Sequence, residues 1–253
     1  MRVLIGGGSG FVGRELTRLL RDKGHEVTVI SRQPGPGRIT WGELESRGLP
    51  PCDGAVNLAG ENVLNPLRWW NESYKKDLFS SRIDTTKALS QAITASSSPP
   101  RSWVLVSGVG AVLGQDGGAM KQMLLPFWLG LGGTLGSGRQ PFPWIHVSDL
   151  AGIIARSLEP PVLSEATPPT PQVYNGVAPT ITTNYEFTKE LGRILRRPTI
   201  FPVPEFIMSV LLGSERAVIL TQGQKVIPMK TLESGYQFKY PDLTSALKQI
   251  VGS

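Results

Sequence analysis

The feature that most constrains the fold of this chain is a glycine-rich turn near its start, which separates an apolar run from an amphipathic segment. The run is Val3 to Ile5, and beyond the glycines apolar residues recur at the helical period until Gly24. These residues are Val12, Leu16, Leu19 and Leu20. The segment HEVTVIS then predicts a second strand. Strand, glycine turn, helix and strand form one βαβ unit, which predicts a parallel sheet.

The glycines of this turn follow the pattern G-x-x-G-x-x-G, and each has a physical task. Gly7 permits a tight turn, Gly10 lets a pyrophosphate approach the backbone, and Gly13 lets the helix pack closely on the strand. Phe11 and Val12 begin the helix, where free N–H groups and a partial positive charge favour phosphate. The pattern therefore predicts dinucleotide binding, and the alternative is a tight turn with a purely structural role.

The end of the second strand indicates which dinucleotide binds. Sites selective for NAD carry an Asp or Glu there, which bonds the ribose 2′-hydroxyl. This strand ends instead in Ser31 and Arg32, and a hydroxyl with a guanidinium can hold a 2′-phosphate. We therefore predict NADP as the cofactor, against the alternative that Arg32 is a solvent-exposed loop residue.

Size and charge limit the possible partners. With 253 residues, of which 40% are hydrophobic, the chain can bury the core of one large domain or of one domain with a smaller lobe. The net charge of +6 comes from scattered basic residues, so we expect a phosphate-bearing small molecule rather than nucleic acid.

Other classes are disfavoured by what the sequence lacks. A single cysteine, Cys52, excludes an internal disulfide and indicates a reducing, intracellular compartment, with the cytoplasm favoured over an organelle. No apolar run has the length of a bilayer span, and we expect no membrane partner. With two histidines and no cluster of ligand residues, we predict no metal site.

Several segments together resemble the short-chain dehydrogenase/reductase superfamily, in particular its atypical extended, epimerase-family branch of sugar-nucleotide-epimerase-like proteins. The segments are GGGSGFVG, ISR, AVNLAGENV, FPWIHVSDLAG, NGVAP, GQKVIP and GYQFKYPDLTSAL. Their order and spacing extend the resemblance over nearly the whole chain.

The resemblance implies an α/β fold, a doubly wound parallel-sheet Rossmann fold with a small C-terminal substrate lobe. On this basis we expect an NADP-binding core from residues 1–113, completed by 142–178. Residues 114–141 and 179–253 would then form the substrate-side lobe.

The resemblance also implies roles for single residues. Leu58, Ala59 and Gly60 match the motif that passes along the adenosine and ribose of the cofactor. Asp77 and Arg82, on a long amphipathic helix, match polar positions that approach the cofactor in relatives. The alternatives are an ordinary buried strand end for the first group and a solvated helix face for the second.

The segment WVLVSGVGAVLGQ, from Trp103 to Gln115, departs from the family pattern. Relatives place a loop and a crossover helix between these two strands, and in active members of the superfamily that region supplies the catalytic Tyr-x-x-x-Lys, a pair that the atypical branch often lacks. Here only Gly108 and Val109 separate the strands, and such a link permits a hairpin or one continuous strand. One crossover helix is therefore missing, and Ser107, which matches the family's Ser/Thr position, has no base nearby.

Substitutes for the missing residues are weak. Tyr185 and Lys189 have the catalytic spacing, but they fall in the region where the family builds its substrate lobe. The segment WIHVSDLAG predicts a strand end followed by a helix with Ser148 as N-cap and Asp149 in its first turn, which is structural chemistry.

The resemblance implies an NADP-dependent oxidoreductase or epimerase-like protein that acts on a small molecule. One alternative is a non-catalytic NADP-binding or regulatory module. A second alternative is a poorly folding splice product, since the gap resembles a skipped exon or an internal deletion.

Overall fold

A computed structural model of the chain describes residues 1–63, 65, 68–107, 109–159 and 171–252, except for the side chains of residues 211 and 212. The chain divides into two compact units. The first comprises Met1–Asn65, Trp70–Ser107 and Ala151–Gln172, and the second comprises Pro66–Trp69, Gly108–Leu150 and Val173–Ser253. Within the described ranges, no helix is both long and apolar enough to cross a membrane.

The first unit is built on a sheet whose five described strands have the order β3-β2-β1-β4-β5. The strands are β1 (Arg2–Gly6), β2 (Glu26–Ser31), β3 (Arg38–Thr40), β4 (Gly54–Asn57) and β5 (Ser102–Leu105). The helices between them are α1 (Phe11–Asp22), α2 (Trp41–Arg47) and α3 (Glu72–Ala95). Every pairing in this sheet is parallel, which confirms the predicted α/β Rossmann fold.

Both faces of this sheet are covered by apolar residues, as a doubly wound sheet requires. Successive strand residues point to opposite faces, so Leu4 and its neighbour Val3 serve different layers. Leu4 packs with Leu44 of α2 and Leu89 of α3. On the other face lies Gly54, the register partner of Val3, where an added Cβ would be 3.0 Å from Leu158.

Cys52 belongs to the same cluster as Leu4, Leu44 and Leu89. It is a free, buried cysteine, and burial raises the pKa of its thiol above the ordinary value. A protonated, buried thiol is a poor nucleophile, so Cys52 acts as a small apolar core residue.

The second unit has its own sheet, of order β7-β6-β8 among the described strands. Its strands are β6 (Ala111–Gly114), β7 (Gly117–Gly118) and β8 (Trp144–His146). Its helices are α4 (Met120–Trp128), the start of α5 (Val147–Leu158), α6 (Asn184–Leu195), α7 (Glu205–Leu212), α8 (Ser214–Thr221), α9 (Met229–Glu233) and α10 (Leu243–Val251). The boundary between the units falls inside α5, between Leu150 and Ala151.

The core of the second unit forms where α6 and α10 pack together with the sheet. Its fully buried members include Leu113, Trp144, Phe187, Leu191 and Leu247. The Trp144 indole N–H donates to the Thr182 hydroxyl at 3.0 Å, which satisfies the one polar atom of that buried side chain.

The predicted hairpin or continuous strand around residues 108 and 109 is wrong. Strand β5 ends at Leu105 and pairs with β4, whereas β6 begins at Ala111 and pairs in parallel with β8. The Ala111 N–H donates to the Pro143 carbonyl at 2.7 Å, so the backbone of β6 is already bonded within the second sheet. Gly108 lies outside the described residues.

The pairing of β6 with β8 also changes the expected division of the chain. Residues 68–69, 109–113, 142–150 and 173–178, which we expected in the nucleotide-binding core, lie in the second unit. The physical reason is that a strand joins the sheet that supplies its hydrogen-bond partners, and those of β6 are β7 and β8.

Strand β5 is an edge of the first sheet, and its apolar side chains are partly open to solvent. Trp103 is 40% and Leu105 is 50% exposed. On α3, Phe79 is 66% and Ile83 is 58% exposed. A sheet edge without charged residues is an association hazard, and natural proteins usually cover such an edge.

This exposure predicts unequal effects of two leucine substitutions. Leu4 is fully buried, so Leu4→Ala should lower the free energy of unfolding by about 2–5 kcal/mol. Leu105 lies half exposed on the edge, so Leu105→Thr should change it by less than about 1 kcal/mol. Urea unfolding of both variants measures the difference, and an equal loss would show that Leu105 is covered in solution.

A second prediction concerns Glu190 of α6, which accepts bonds from Arg193 at 2.6 Å and from Thr244 of α10 at 2.6 Å. These bonds, that of Arg193 first, lower the pKa of Glu190 to about 2. A lowered pKa in the folded state stabilises the fold above the unfolded value near 4.3, and the stabilisation is lost as the pH falls toward 2.

Glu190→Gln should therefore be less stable than the parent chain at pH 7, and the two should converge only as the pH falls to about 2. Glu233→Gln, at an exposed position of α9, makes the same change of charge and serves as the control. The urea concentration at the midpoint of unfolding, measured across this pH range, tests the prediction. The prediction fails if the difference in midpoint between Glu190→Gln and the parent chain is the same at pH 7 and at the lowest pH.

Candidate functional site

The glycine turn after β1 is packed against the segment after β4. Gly7 has a φ of +75°, and its N–H donates to the Ile30 carbonyl at 3.0 Å. A Cβ at Gly7 would lie 2.7 Å from the Ala59 nitrogen, which leaves no room for a side chain. The Leu58 N–H donates to the Gly6 carbonyl at 2.8 Å, so the ends of β1 and β4 are held together at the turn.

Gly13 and Gly8 are also required by packing. A Cβ at Gly13 would lie 2.4 Å from the Gly7 carbonyl oxygen, which agrees with the close helix packing expected there. A Cβ at Gly8 would lie 2.7 Å from a Val29 methyl group of β2. The sequence pattern gave Gly8 no role, although the unbroken run of three glycines at 6–8 was a usable signal.

Gly10 differs from its neighbours, because a Cβ there would have one tight contact and otherwise open space. A Cβ at Gly10 would meet only the Gly7 carbonyl oxygen, at 3.2 Å, and its φ of −73° is open to any residue. The space in front of Gly10 is therefore a cradle that a side chain would fill.

Gly10 is also the N-cap of α1, and no side chain caps this end or places an acid in its first turn. Among the residues that the structure describes, none accepts a hydrogen bond from the amides of Phe11, Val12 or Gly13. Uncapped amides and the helix dipole at an open backbone are suited to an anionic ligand such as a pyrophosphate.

Ser31 is the last residue of β2 and Arg32 follows it, beside this turn. Ser31 is buried, and its hydroxyl donates to the Gln33 carbonyl while accepting from the Gln33 N–H at 3.3 Å. The single proton of this hydroxyl is thus used in a local turn. Arg32 is exposed, and its side chain makes no hydrogen bond or ion pair with any residue in the described ranges.

Leu58, Ala59 and Gly60 lie directly after β4, the first two half-buried and the third exposed. Their path is fixed by Asn57, whose side-chain oxygen accepts from the Ala59 N–H at 3.0 Å. The Asn57 amide in turn donates to the Thr86 hydroxyl of α3 at 3.0 Å. Asn57, a buried polar residue at a strand end, was not predicted as a site residue from the sequence.

Arg82 reaches from α3 to the same segment. Its Nη2 donates to the Glu61 carbonyl at 2.9 Å and its Nη1 to the Leu78 carbonyl at 3.1 Å. The guanidinium covers Gly60, where an added Cβ would lie 3.1 Å from the Arg82 Cζ. Asp77, half-buried, lies five residues earlier on the same helix.

Ser107 is exposed and lies two residues beyond the end of β5. The pair with catalytic spacing, Tyr185 and Lys189, is on α6 in the second unit. Lys189 Nζ donates to the Thr199 carbonyl at 2.8 Å and lies 5.5 Å from the centre of the Tyr185 ring. These bonds give Lys189 a structural task within the second unit.

The WIHVSDLAG segment is structural in a way that differs from the prediction. Helix α5 begins at Val147, so Ser148 lies inside it, and the Ser148 N–H donates to Nδ1 of His146 at 3.2 Å. His146 is thus the N-cap. Its Nε2 lies 2.8 Å from the Gln249 side-chain oxygen, which fixes the tautomer with the proton on Nε2.

Asp149 is fully buried and anchors the segment before α10. Its carboxylate accepts from the Lys239 N–H at 2.7 Å, the Tyr240 N–H at 2.9 Å and the Tyr236 hydroxyl at 3.2 Å. Burial first, and Asp149 second, raise the pKa of Tyr236 above its ordinary value. Within the described residues no cluster of His, Cys, Asp or Glu is arranged to hold a metal ion.

The turn, the open helix N-terminus and the parallel sheet define a dinucleotide-binding protein of the Rossmann class. Residues 3–107 match the NAD dependent epimerase/dehydratase family, and residues 203–250 match a domain of unknown function, DUF1731. The human epimerase family protein SDR39U1 is 47% identical over 299 residues, covering 99% of this chain and 100% of the relative. This chain therefore belongs to the epimerase family, which confirms the predicted resemblance.

Two further comparisons extend this result. A crystal structure described as human epimerase family protein SDR39U1 (isoform2) with NADPH has a TM-score of 0.94 and 46% identity, covering 100% of this chain and 99% of that one. An Arabidopsis thaliana relative, named a chloroplastic SDR39U1 homolog, is 31% identical over 312 residues, covering 99% of this chain and 87% of the relative. The cytoplasmic location inferred from the sequence stays a prediction.

The human alignment also measures what this chain lacks. It extends over 299 residues, whereas the chain has 253, so at least 46 aligned positions have no residue here. A loop with a crossover helix is of this length, in agreement with the gap inferred between β5 and β6.

Proposed function

We propose that this chain is an NADP(H)-binding member of the epimerase family, with the cofactor held by the first unit. The open space in front of Gly10, at an uncapped helix N-terminus, is the observation that carries the proposal. The family membership and the NADPH in the human structure support it.

The proposed contacts follow the ends of the parallel strands. The amides of Phe11, Val12 and Gly13 would hold the pyrophosphate, and Arg32 would hold the 2′-phosphate. Ser31 would fix the turn that carries Arg32, because its own hydroxyl is bonded to Gln33.

Along the rest of the cofactor, the backbone of Leu58, Ala59 and Gly60 would line the adenosine and ribose side. Arg82, which bonds the Glu61 carbonyl, would keep this segment in place, and Asp77 would approach the cofactor from the same helix. Bound NADPH supplies a hydride, and a carbonyl substrate then needs a proton donor beside the nicotinamide. Ser107 is the proposed hydroxyl of the substrate pocket. Because the Tyr-x-x-x-Lys segment is absent, we propose that the chain binds NADPH without transferring hydride.

The role of Gly10 can be tested against that of Gly13. Gly10→Val places its Cβ in the proposed pyrophosphate space with one tight contact, to the Gly7 carbonyl oxygen, so it should abolish NADPH binding and leave the circular-dichroism spectrum largely unchanged. Gly13→Ala places a Cβ against backbone, so it should destabilise the fold by roughly 2 kcal/mol or more. If Gly10→Val still binds NADPH, the glycine pattern forms only a structural turn.

The choice of NADP is tested at Arg32. Arg32→Asp replaces the proposed phosphate contact with the carboxylate typical of NAD sites, so NADPH affinity should fall by about 10- to 150-fold while NADH affinity is kept or raised. Fluorescence titration with both cofactors measures this, and following NADPH oxidation with a panel of carbonyl compounds separates binding from turnover. An unchanged preference for NADPH would remove Arg32 from the site.

A further inference from the structure

We propose that Arg14 is a second cation of the 2′-phosphate site, so that cofactor selectivity depends on Arg14 and Arg32 together. The inference rests on the proposed function, NADP(H) binding. It assigns a selectivity role to a residue of α1, whereas the sequence pattern points only to the end of β2.

The first observation is the direction of the Arg14 side chain. Arg14 follows Gly13 in the first turn of α1, and its Nη1 donates to the Ser9 carbonyl at 3.2 Å. The side chain therefore folds back over the glycine turn. A guanidinium has five N–H donors, and this bond uses one, so the group is oriented while most of its donors remain for a ligand.

The other arginines of the helix serve as a contrast. Arg18 is bonded to Glu15 at 2.8 Å and to Asp22 at 2.9 Å, so its charge is balanced on the helix surface. Arg21 lies in the last turn, away from the glycine turn. Glu15, the acidic residue that follows Arg14 in the chain, forms its ion pair with Arg18.

The second observation places Ser9 near the end of β2. The Gly7 N–H bonds the Ile30 carbonyl, and Gly8 packs so closely on Val29 that a Cβ would lie 2.7 Å from its methyl group. The turn thus runs beside the last residues of β2 before it reaches Ser9. In this fold the residue after β2 marks the position of the ribose 2′-group. Arg14, held over a turn that runs beside β2, would therefore add its charge to that of Arg32 at this group.

The charge of the ligand explains why two cations are useful. A phosphate monoester carries about −1.5 to −2 charges near pH 7, and one exposed guanidinium balances only part of this. The ribose 2′-hydroxyl of NADH is neutral. A second arginine therefore favours NADPH over NADH without any contact to the parts that the two cofactors share.

The test compares Arg14→Ala, Arg14→Lys and Arg21→Ala with the parent chain in NADPH and NADH titrations. Arg14→Ala should weaken NADPH binding by about 5- to 30-fold and NADH binding by less than about 2-fold, as expected for one exposed charge-assisted contact. Arg14→Lys should recover part of the loss because it keeps the charge, and Arg21→Ala should leave both affinities unchanged. In Arg14→Ala, adenosine 2′,5′-bisphosphate should also compete less well with NADPH, relative to the parent chain, whereas competition by 5′-AMP should not weaken.

The outcomes separate this inference from the proposed function. Equal losses for NADPH and NADH would place Arg14 at the pyrophosphate or in the turn and overturn its selectivity role, as would unchanged affinities. If the parent chain bound neither cofactor, the proposed function and the inference would fall together. Thermal melts of each variant test whether the compared proteins are folded. If Arg14→Ala does not fold, Arg14→Lys provides the comparison with the parent chain.

Discussion

The close approach of the Gly7 backbone to Leu58 and Ala59 is the contact on which the candidate site depends. With a Cβ at Gly7 only 2.7 Å from the Ala59 nitrogen, a side chain there would push apart the ends of β1 and β4. The same turn bonds Ile30 of β2, so three parallel strand ends are fixed by one residue in the left-handed region. Helix α1 then starts with its free amides in front of those strand ends.

Much of the first unit could be predicted from the sequence because its signals are local. The period of Leu16 and Leu20 predicts the buried side of α1, and the glycine spacing predicts a turn between strand and helix. The bonds of Asn57 to Ala59 and to Thr86 were not predictable, because one partner lies 29 residues away on another element. The hydrogen bond from Arg14 to the Ser9 carbonyl could not be predicted from the sequence pattern either, because exposed arginines adopt many rotamers.

The choice of partner strand was the main failure of the sequence reasoning. The apolar run at Ala111 is compatible with either sheet, and strand pairing depends on which distant backbone offers free hydrogen-bonding groups. The partner of β6 is β8, over thirty residues later in the chain, and the two strands pair in the register of Ala111 with Trp144. As a result β5 stays an edge strand, and Trp103 and Leu105 are left partly exposed. At least 46 positions of the human relative have no residue here.

The absent segment separates two properties that the family combines. The candidate cofactor contacts come from residues 7–13, 31–32, 58–60 and α3, all within the first unit and all placed by short-range bonds or by the parallel sheet. None of these contacts needs the crossover region. In active members of the superfamily, proton transfer to a substrate does need it, because the tyrosine and lysine of that pattern belong to the crossover region. On the proposed function, cofactor binding and catalysis therefore rest on different parts of the fold, and the contacts proposed for the cofactor are those that depend on backbone geometry.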